Sequence, residues 1–185
     1  MLKDIYKDAR SRMEGALTAL EEDLAGIRTG RATPALVERL PVEYYGAMTP
    51  LQQLASISVP EPRSLLIRPF DNTAMKAIEK AILGSNLGIT PNNDGKNIRL
   101  NLPPLTEERR RELVRMVQHR VEEGRIAIRN IRRDVIKDLK EYEQEKLLSE
   151  DERERGENEI QKITDELIKA LEAIGERKEK EILEV

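Results

Sequence analysis

One stretch of the sequence, LPPLTEE at residues 102–108, separates two kinds of chain. All nine prolines lie between Pro34 and Pro104, and none follows this stretch. Proline inside a helix removes a hydrogen bond and clashes with the preceding turn, at a cost of about 3 kcal/mol. We therefore expect long uninterrupted helices before Pro34 and after Pro104, and a different kind of structure between them.

The segments without proline carry the spacing of apolar residues that lines one face of a helix. In the first segment these residues are Leu2, Ile5, Ala9, Met13, Ala16, Leu20, Leu24 and Ile27. In the second, after an N-cap at Thr106, they are Leu113, Val117, Val121, Gly124, Ile128, Ile131, Val135, Leu139 and Tyr142. The third begins with a capping box of Ser149 and Glu152 and continues through Ile160, Ile163, Leu167, Leu171 and Ile174. These patterns predict three helices around one core.

The middle of the chain has the pattern of short strands interrupted by turn residues. The candidate strands are residues 42–45, 54–59, 64–68 and 98–102. Asp71 or Asn72 is expected to cap a short helix from Thr73 to Leu83. We expect a small mixed sheet with this helix on one face. Of the neighbouring rings of Tyr44 and Tyr45, we expect one to pack inward and one outward, the alternative being a role in base stacking.

Together these patterns predict an α+β protein. Residues 1–29 and 106–185 form an elongated three-helix bundle, and residues 30–105 form a small mixed β/α domain inserted between its first and second helices. At about 1.5 Å per residue, the second helix is roughly 60 Å long. The chain crosses between the domains twice, so we expect few contacts at the junction, a hinge and a mobile small domain. The hinge residues are Thr29, Gly30, Ala32, Thr33, Pro103, Pro104 and Leu105.

Composition excludes several kinds of protein. The sequence has no cysteine, so it contains no disulfide, thiolate zinc site or cysteine nucleophile, and a reducing cytoplasm is its natural setting. Residues 1–20 alternate charged and apolar side chains, so we expect neither a signal peptide nor a membrane span. The sequence therefore predicts a cytoplasmic protein without a membrane partner.

Catalytic motifs are missing from the sequence. It has no glycine loop that would bind phosphate, no serine elbow and no pair of histidines spaced for a metal. His119 is the single histidine and lies on a charged predicted helix, which indicates a surface residue. We therefore expect no catalytic residue, no metal site and no cofactor, and conclude that the chain is not an enzyme.

Charge is distributed unevenly along the chain. The overall net charge is -3. Residues 106–133 hold nine arginines against five glutamates, a net of +4, whereas residues 149–185 hold seven cations against thirteen acids, a net of -6. A smaller basic group, Arg28 and Arg31, follows the first predicted helix. A local excess of arginine can bind phosphate even where the whole chain is acidic.

The central arginines are spaced to share one helix face. Arg125, Arg129 and Arg132 follow one another at intervals of four and three, and Arg133 lies beside them; we call these four residues the arginine stripe. Lys137 widens it. Such a row of guanidinium groups can bind a folded RNA backbone. The alternative is a set of helix-stabilising ion pairs with Glu122, Asp134 and Asp138, each worth about 0.2–0.5 kcal/mol. Composition alone leaves both interpretations open.

Six short motifs spread over the chain resemble the bacterial ribosome recycling factor family. They are RTGRA at 28–32, VEYYG at 42–46, IEKAI at 78–82, LPPLTEERR at 102–110, IRNIRR at 128–133 and IQKITD at 160–165. Each motif alone is weakly specific, but their order and the length of the chain match together. Asn86 and Met48 depart from the family pattern, and both fall in predicted loops.

The resemblance implies an L-shaped monomer of the size of a tRNA. In the family, the factor enters the ribosome after termination, and its bundle contacts large-subunit rRNA around the peptidyl-transferase region. Elongation factor G then acts with GTP, and the subunits separate. The resemblance therefore implies the ribosome and elongation factor G as partners. The residues expected to contact rRNA are Arg28, Arg31, Arg109, Arg110, Arg125, Arg129, Arg132 and Arg133.

Two other functions fit parts of the sequence. A helical scaffold or chaperone-like protein would account for long charged helices, but not for the concentration of arginine in 109–133 beside an acidic third helix. An enzyme would need a site in the middle domain. Binding to purified ribosomal subunits distinguishes the scaffold from the ribosomal factor.

Overall fold

The computed structural model describes residues 1–184, which form two compact units. Met1–Arg28 and Glu107–Glu184 make up the first unit, which we call the bundle. Thr29–Thr106 make up the second, which we call the small domain. Val185, the last residue of the predicted bundle range, lies outside the described residues.

In chain order the helices are α1 (Leu2–Ala25), α2 (Leu51–Leu54), α3 (Met75–Leu83), α4 (Glu107–Gln144) and α5 (Glu150–Glu184). The strands are β1 (Pro41–Tyr44), β2 (Ala47–Pro50), β3 (Ala55–Glu61), β4 (Ser64–Pro69), β5 (Asn92–Asn93) and β6 (Ile98–Asn101). Three long helices, with a β/α region between the first and second of them in sequence, confirm the predicted fold class.

The bundle buries the apolar faces that the helical spacing predicts. Met13 of α1, Ile128 of α4 and Leu171 of α5 are fully enclosed, and each of these helices packs against the other two. α4 has 38 residues and is about 57 Å long. α1 ends at Ala25, and Gly26, a residue of low helix propensity, follows it, so Ile27 lies beyond the helix that its spacing suggested.

Two glycines let α4 and α5 approach closely. A Cβ on Gly175 would lie 2.5 Å from Val121 Cγ2, and one on Gly124 would lie 2.9 Å from Leu171 Cδ1. Both distances are shorter than carbon atoms tolerate, so a side chain at either position would force Val121 or Leu171 to move. The register between α4 and α5, which places the polar groups of one helix against the other, is thereby constrained.

The predicted capping box forms at the start of α5. The amide of Ser149 donates to Glu152 Oε2 (2.8 Å), and the amide of Glu152 donates to Ser149 Oγ (3.2 Å). The hydrogen bonds from Ser149, first that of its amide, lower the pKa of Glu152 below its ordinary value. The predicted start of the third long helix is therefore confirmed.

The small domain contains two antiparallel sheets. β1 and β2 form a hairpin, and a second sheet has the strand order β3-β4-β6-β5. Every pairing among the described residues is antiparallel, so the expectation of a mixed sheet is wrong. Short turns join three of the four pairs, and parallel neighbours would need longer crossovers. β4 and β6 are antiparallel although a longer connection through α3 joins them. Ile78 and Ile82 of α3 share one core with Val42 of β1 and Leu65 of β4.

Several boundaries in the small domain differ from those predicted. β2 and β5 were not predicted, Leu54 belongs to α2, and β6 ends at Asn101. β3 runs through Pro60, which the sequence predicted as its end, because an edge strand tolerates a residue without an amide hydrogen. Thr73 lies in a 3₁₀ turn before α3, where its amide donates to the predicted cap, Asp71.

The two tyrosines at the hairpin tip point as predicted. The Tyr44 hydroxyl donates to Asp71 Oδ2 (2.9 Å), whereas Tyr45 is 82% exposed. Tyr45 and Gly46 both have positive φ, 48° and 77°, which is the geometry of a two-residue hairpin turn. One ring therefore anchors the hairpin, and the other is left at its surface.

Candidate nucleic-acid interface

The arginines of α4 fall into groups that differ in their partners. The helix buries Leu113, Val117, Val121, Ile128, Val135 and Leu139 against the rest of the bundle. In the arginine stripe, Arg125 and Arg132 lie nearest to this buried face and Arg133 lies farthest around the helix, so a guanidinium of the stripe lies either against α5 or in solvent. Which of these occurs decides whether the charge is available to a ligand.

Arg125 turns toward α5 and is held by carboxylates. Its guanidinium lies 2.7 Å from Glu122 Oε2 on the same helix and 2.9 Å from Glu172 Oε1 on α5, and its side chain is 28% exposed. The hydrogen bond to Glu122, with that to Glu172, raises the pKa of Arg125 above its ordinary value. The ion-pair interpretation is therefore correct at this position.

Arg129 and Arg133 face solvent. Both are exposed, and within residues 1–184 neither makes an ion pair or a side-chain hydrogen bond. Of the other predicted acidic partners, Asp134 lies 3.4 Å from Arg12 of α1 instead, and Asp138 makes no ion pair with a described residue. The ion-pair interpretation therefore fails here, and two neighbouring cations remain available.

Arg132 has a third kind of environment. It is half-buried, and its Nη1 donates to the neutral oxygen Oε1 of Gln161 on α5 at 2.7 Å. No carboxylate of the described chain forms an ion pair with it. Its positive charge is therefore oriented by a neighbour without being neutralised.

The arginines at the start of α4 are bound within the helix. Arg109 Nη1 lies 2.9 Å from Glu112 Oε2, and Arg111 forms an ion pair with Glu107. Arg110 is half-buried. Glutamates at the first turn of a helix complement its dipole. Because Arg109 and Arg111 pair with glutamates of the same helix, part of the local arginine excess is used within α4 itself.

Arg28 and Arg31 are exposed, but they belong to different units. Arg28 is the last residue of the first bundle segment, and Arg31 falls in the small domain. The prediction that they form one basic group stays a prediction.

Arg115 is an exposed arginine of α4 that sequence reasoning missed. It makes no ion pair or side-chain hydrogen bond within residues 1–184. It precedes Arg133 by 18 residues, which is five helical turns, so the two lie on the same side of α4. Counting whole turns back from the arginine stripe would have found it.

Two predicted crossing segments are anchored on one turn of the small domain. The amide of Ala32 donates to Pro62 O, and the amide of Leu102 donates to Arg63 O, both at 2.8 Å. Ala32 and Thr29 are buried, whereas Thr33, Pro103 and Pro104 are exposed. Gly30 has a φ of 79°, a backbone conformation that glycine adopts without strain.

A groove of the small domain is one place where the site of an enzyme could lie. It runs between the β1–β2 hairpin and α3, with Glu43, Lys76 and Lys80 as its charged residues. The hydroxyl of Ser85 in this groove donates to Ile82 O at 2.6 Å and so serves the end of α3. The groove thus presents no paired nucleophile and base in the described structure.

Other features of the described residues bear on ligand classes. His119 is exposed and contacts Glu123, as expected of a surface residue. Residues 1–184 contain no group of three acidic, histidine or cysteine side chains placed to hold a metal. None of the helices in these residues contains an apolar stretch of the kind that a membrane span requires.

Comparison with known proteins gives the family. The model of the family described as Ribosome recycling factor matches residues 20–183. The ribosome-recycling factor of Chloroflexus aurantiacus is 57% identical over 185 residues, and that of Roseiflexus sp. (strain RS-1) is 55% identical over 185 residues, each covering 100% of both chains. The factor of Thermus thermophilus is 54% identical over 182 residues, which cover 98% of both chains.

Solved structures agree with this result. A solution structure of the ribosome recycling factor is similar with a TM-score of 0.71 and 45% identity, covering 100% of this chain and 98% of that one. A second structure has a TM-score of 0.62 and 54% identity, covering 99% of both chains. It describes models for the T. thermophilus ribosome recycling factor and the E. coli elongation factor G bound to the E. coli post-termination complex. The chain therefore belongs to the ribosome recycling factor family.

Proposed function

We propose that the chain binds the post-termination ribosome and, together with elongation factor G and GTP, splits it into subunits. The observation that carries this proposal is a relative, 54% identical over 99% of both chains, described with elongation factor G on a post-termination complex. Family membership also agrees with the prediction that the chain is not an enzyme, since GTP is hydrolysed by the partner. The protein would act as a mechanical wedge.

The rRNA contacts are proposed to centre on Arg129, Arg132 and Arg133. These arginines form no ion pair with a carboxylate of the described chain, so binding to phosphate would break no internal ion pair. Contacts to phosphate also gain from the release of counterions. Arg115 extends the same side of α4. Arg28, Arg31, Arg109 and Arg110 are proposed as flanking contacts, and Arg125 as a support for the others through its ion pairs with Glu122 and Glu172.

The scaffold hypothesis makes a different prediction about these arginines. A scaffold would use them to stabilise its own helices, as Arg125 does, or would bind many anions equally. To separate the scaffold from the ribosomal factor, binding of the chain to purified large ribosomal subunits is measured by sedimentation and compared, at equal ionic strength, with its binding to an acidic control protein. Selective, salt-sensitive binding to the subunit supports the ribosomal function, and equal binding to both supports the scaffold.

The small domain is proposed to move on a hinge. The hydrogen bonds that fix Ala32 and Leu102 to the turn at Pro62 and Arg63 favour a shorter hinge than the sequence suggested. We place it at Gly30 and Arg31 in the first crossing and at Pro103, Pro104 and Leu105 in the second. Thr29, Ala32 and Thr33 would then border the moving segment.

A reversible cross-link tests the hinge. The chain has no cysteine, so a pair introduced near Gly30 and near Leu105 can be oxidised without background. Variants whose cysteine pair oxidises to a disulfide are expected to keep ribosome binding but to lose ribosome splitting. Reduction of the disulfide should restore splitting. Splitting at the parental rate in the oxidised protein would mean that rotation at the hinge is not part of the mechanism.

The cellular setting follows from the proposed partner. We propose a cytoplasmic monomer, because the ribosomes on which it would act are cytoplasmic and one copy carries the whole arginine stripe. Analytical ultracentrifugation of the free protein checks the monomer, and a stable dimer would contradict it.

A ribosome-splitting assay tests the central proposal. Post-termination ribosomes are incubated with the protein, with elongation factor G and GTP, or with both, and the subunits are followed by light scattering. Separation that requires both proteins and GTP is the expected result. Separation by elongation factor G and GTP alone, at the same rate with and without this chain, would contradict the proposal.

A further inference from the structure

A hydrogen-bonded relay on the bundle surface ends at Arg132. Arg132 Nη1 on α4 donates to Gln161 Oε1 on α5 at 2.7 Å, and Gln161 Nε2 donates to Asp165 Oδ1 one turn further along α5 at 2.8 Å. These bonds connect a candidate rRNA-binding residue to two polar residues that sequence reasoning assigned no role.

The chemistry of the three side chains fixes the direction of the relay. An arginine only donates hydrogen bonds, and an ionised aspartate only accepts them. The glutamine amide has one oxygen and one NH₂, so it can satisfy both neighbours in a single orientation. If the amide turned over, it would place its NH₂ against the guanidinium and its oxygen against the carboxylate.

The surroundings of the Arg132 guanidinium show which of its nitrogens remain available to a ligand. Its Nε is enclosed and has no hydrogen-bond partner, so the side chain lies against the bundle and is not freely extended. Nη1 is bonded to Gln161, whereas Nη2 has no partner in the described chain and is not enclosed. One edge of the guanidinium is therefore held by the protein and the other faces outward.

We infer that Gln161 and Asp165 are positioning residues, which hold Arg132 in the orientation that binds an RNA phosphate. This inference rests on the proposed function. A neutral glutamine orients the guanidinium without competing for its charge, unlike the carboxylates that hold Arg125. A side chain that is already ordered in the free protein loses less conformational entropy when it binds, so binding costs less free energy. Arg129 and Arg133, which lack such partners in residues 1–184, bind as mobile charges.

A double-mutant cycle tests the inference, with purified large ribosomal subunits as the probe. Binding is measured for the parent, Gln161→Met, Arg132→Ala and the double variant. Methionine keeps the length and helix preference of glutamine but accepts no comparable hydrogen bond. We expect Gln161→Met to weaken binding by about two- to tenfold, the factor for ordering one side chain. In the Arg132→Ala background, the same change should have almost no effect.

A matched pair at Asp165 keeps the test independent of how Gln161→Met folds. Asp165→Asn and Asp165→Ala remove the same negative charge, but only asparagine keeps an oxygen that can accept from Gln161. We expect Asp165→Ala to bind less tightly than Asp165→Asn, with similar melting temperatures. Equal affinities for this pair would overturn the relay.

The cycle separates two failures. If Arg132→Ala weakens binding but Gln161→Met does not, or weakens it equally in both backgrounds, the positioning inference is wrong while the rRNA contact stands. If Arg132→Ala binds like the parent, the contact itself is wrong and the inference falls with it. If the parent does not bind the subunit, the proposed function fails.

Discussion

Two regions of the bundle contain arginines in opposite circumstances. At the start of α5, the guanidinium of Arg153 lies 2.7 Å from Glu143, 2.9 Å from Glu157 and 3.6 Å from Glu154, with 16% of the side chain exposed. On α4, Arg129 and Arg133 are exposed and form no ion pair within residues 1–184. The charge of Arg153 is therefore paired with carboxylates of the bundle, whereas the charges of Arg129 and Arg133 are not paired within the described residues.

The difference shows why an excess of arginine does not by itself locate a binding surface. The carboxylates around Arg153, first Glu157 through its hydrogen bond, raise the pKa of Arg153 above its ordinary value. A phosphate could bind Arg153 only by displacing them, whereas it could bind Arg129 in exchange for water and counterions. We therefore propose that RNA affinity resides chiefly in Arg129, Arg132 and Arg133, the members of the arginine stripe on α4 that the fold leaves unpaired with acids.

The largest effect is expected from reversing the charge of three arginines together. Arg129→Glu, Arg132→Glu and Arg133→Glu in one protein should weaken binding to large ribosomal subunits by at least about 100-fold, because several charged hydrogen bonds are lost and repulsion is added. Sedimentation at fixed salt measures the binding, with helicity and melting temperature as controls. Binding at the parental level in a folded triple variant would remove the arginine stripe from the account.

Single alanine variants sharpen the comparison. Arg132→Ala should cost about 1.5–3 kcal/mol of binding free energy if it loses a charged hydrogen bond to phosphate. Arg28→Ala should also weaken binding. Arg153→Ala and Arg177→Ala should change it by less than about twofold, because Arg153 is held by carboxylates and Arg177 lies on the acidic helix α5, outside the arginine stripe. Small and equal losses at all four positions, by titration with large subunits, would favour diffuse attraction over a defined site.

Acid should weaken the capping box at the start of α5, next to Arg153. Glu152 has a lowered pKa in the folded protein, so its stabilising effect is present above the ordinary value of 4.5 and is lost as pH falls from that value through the lowered pKa. Glu152→Gln should therefore lower the melting temperature at neutral pH, and the difference from the parent should shrink below about pH 4.5.

Glu150→Gln is the control for this effect, because Glu150 lies in the same first turn but makes no hydrogen bond to Ser149 in the described chain. A pH profile of Glu152→Gln that matches that of Glu150→Gln would assign the effect to the helix dipole alone. Large-subunit binding should be the same for both variants near neutral pH.

The sequence predicted the features that depend on neighbours along the chain. Helical spacing identified the faces of α1, α4 and α5, and the capping box located the start of α5 at Ser149. The hairpin strand β2 was not predicted for two reasons. Its turn, Tyr45-Gly46, lacks the asparagine or aspartate typical of such turns, and its partner strand β1 begins with a proline. β5 is too short to have a pattern of its own.

The partners of the arginines depend on residues far away in the chain. Arg125 is bound by Glu172 and Arg132 by Gln161, which are 47 and 29 residues away. Spacing within α4 correctly suggested Glu122, but it could not reveal the contacts that α5 provides. For the same reason, it could not separate Arg125 from Arg129 before the packing of the two helices was known.

The salt dependence of binding tests the central claim most directly. Affinity for large ribosomal subunits is measured over a range of salt concentrations for the parent, for Arg129→Ala with Arg133→Ala, and for Arg153→Ala. If Arg129 and Arg133 each contact one phosphate, the slope of log affinity against log salt should fall by about 0.7–0.9 for each contact removed. Arg153→Ala should keep the parental slope. An unchanged slope in the double variant, or an equal fall in Arg153→Ala, would contradict the claim that unpaired arginines carry the binding.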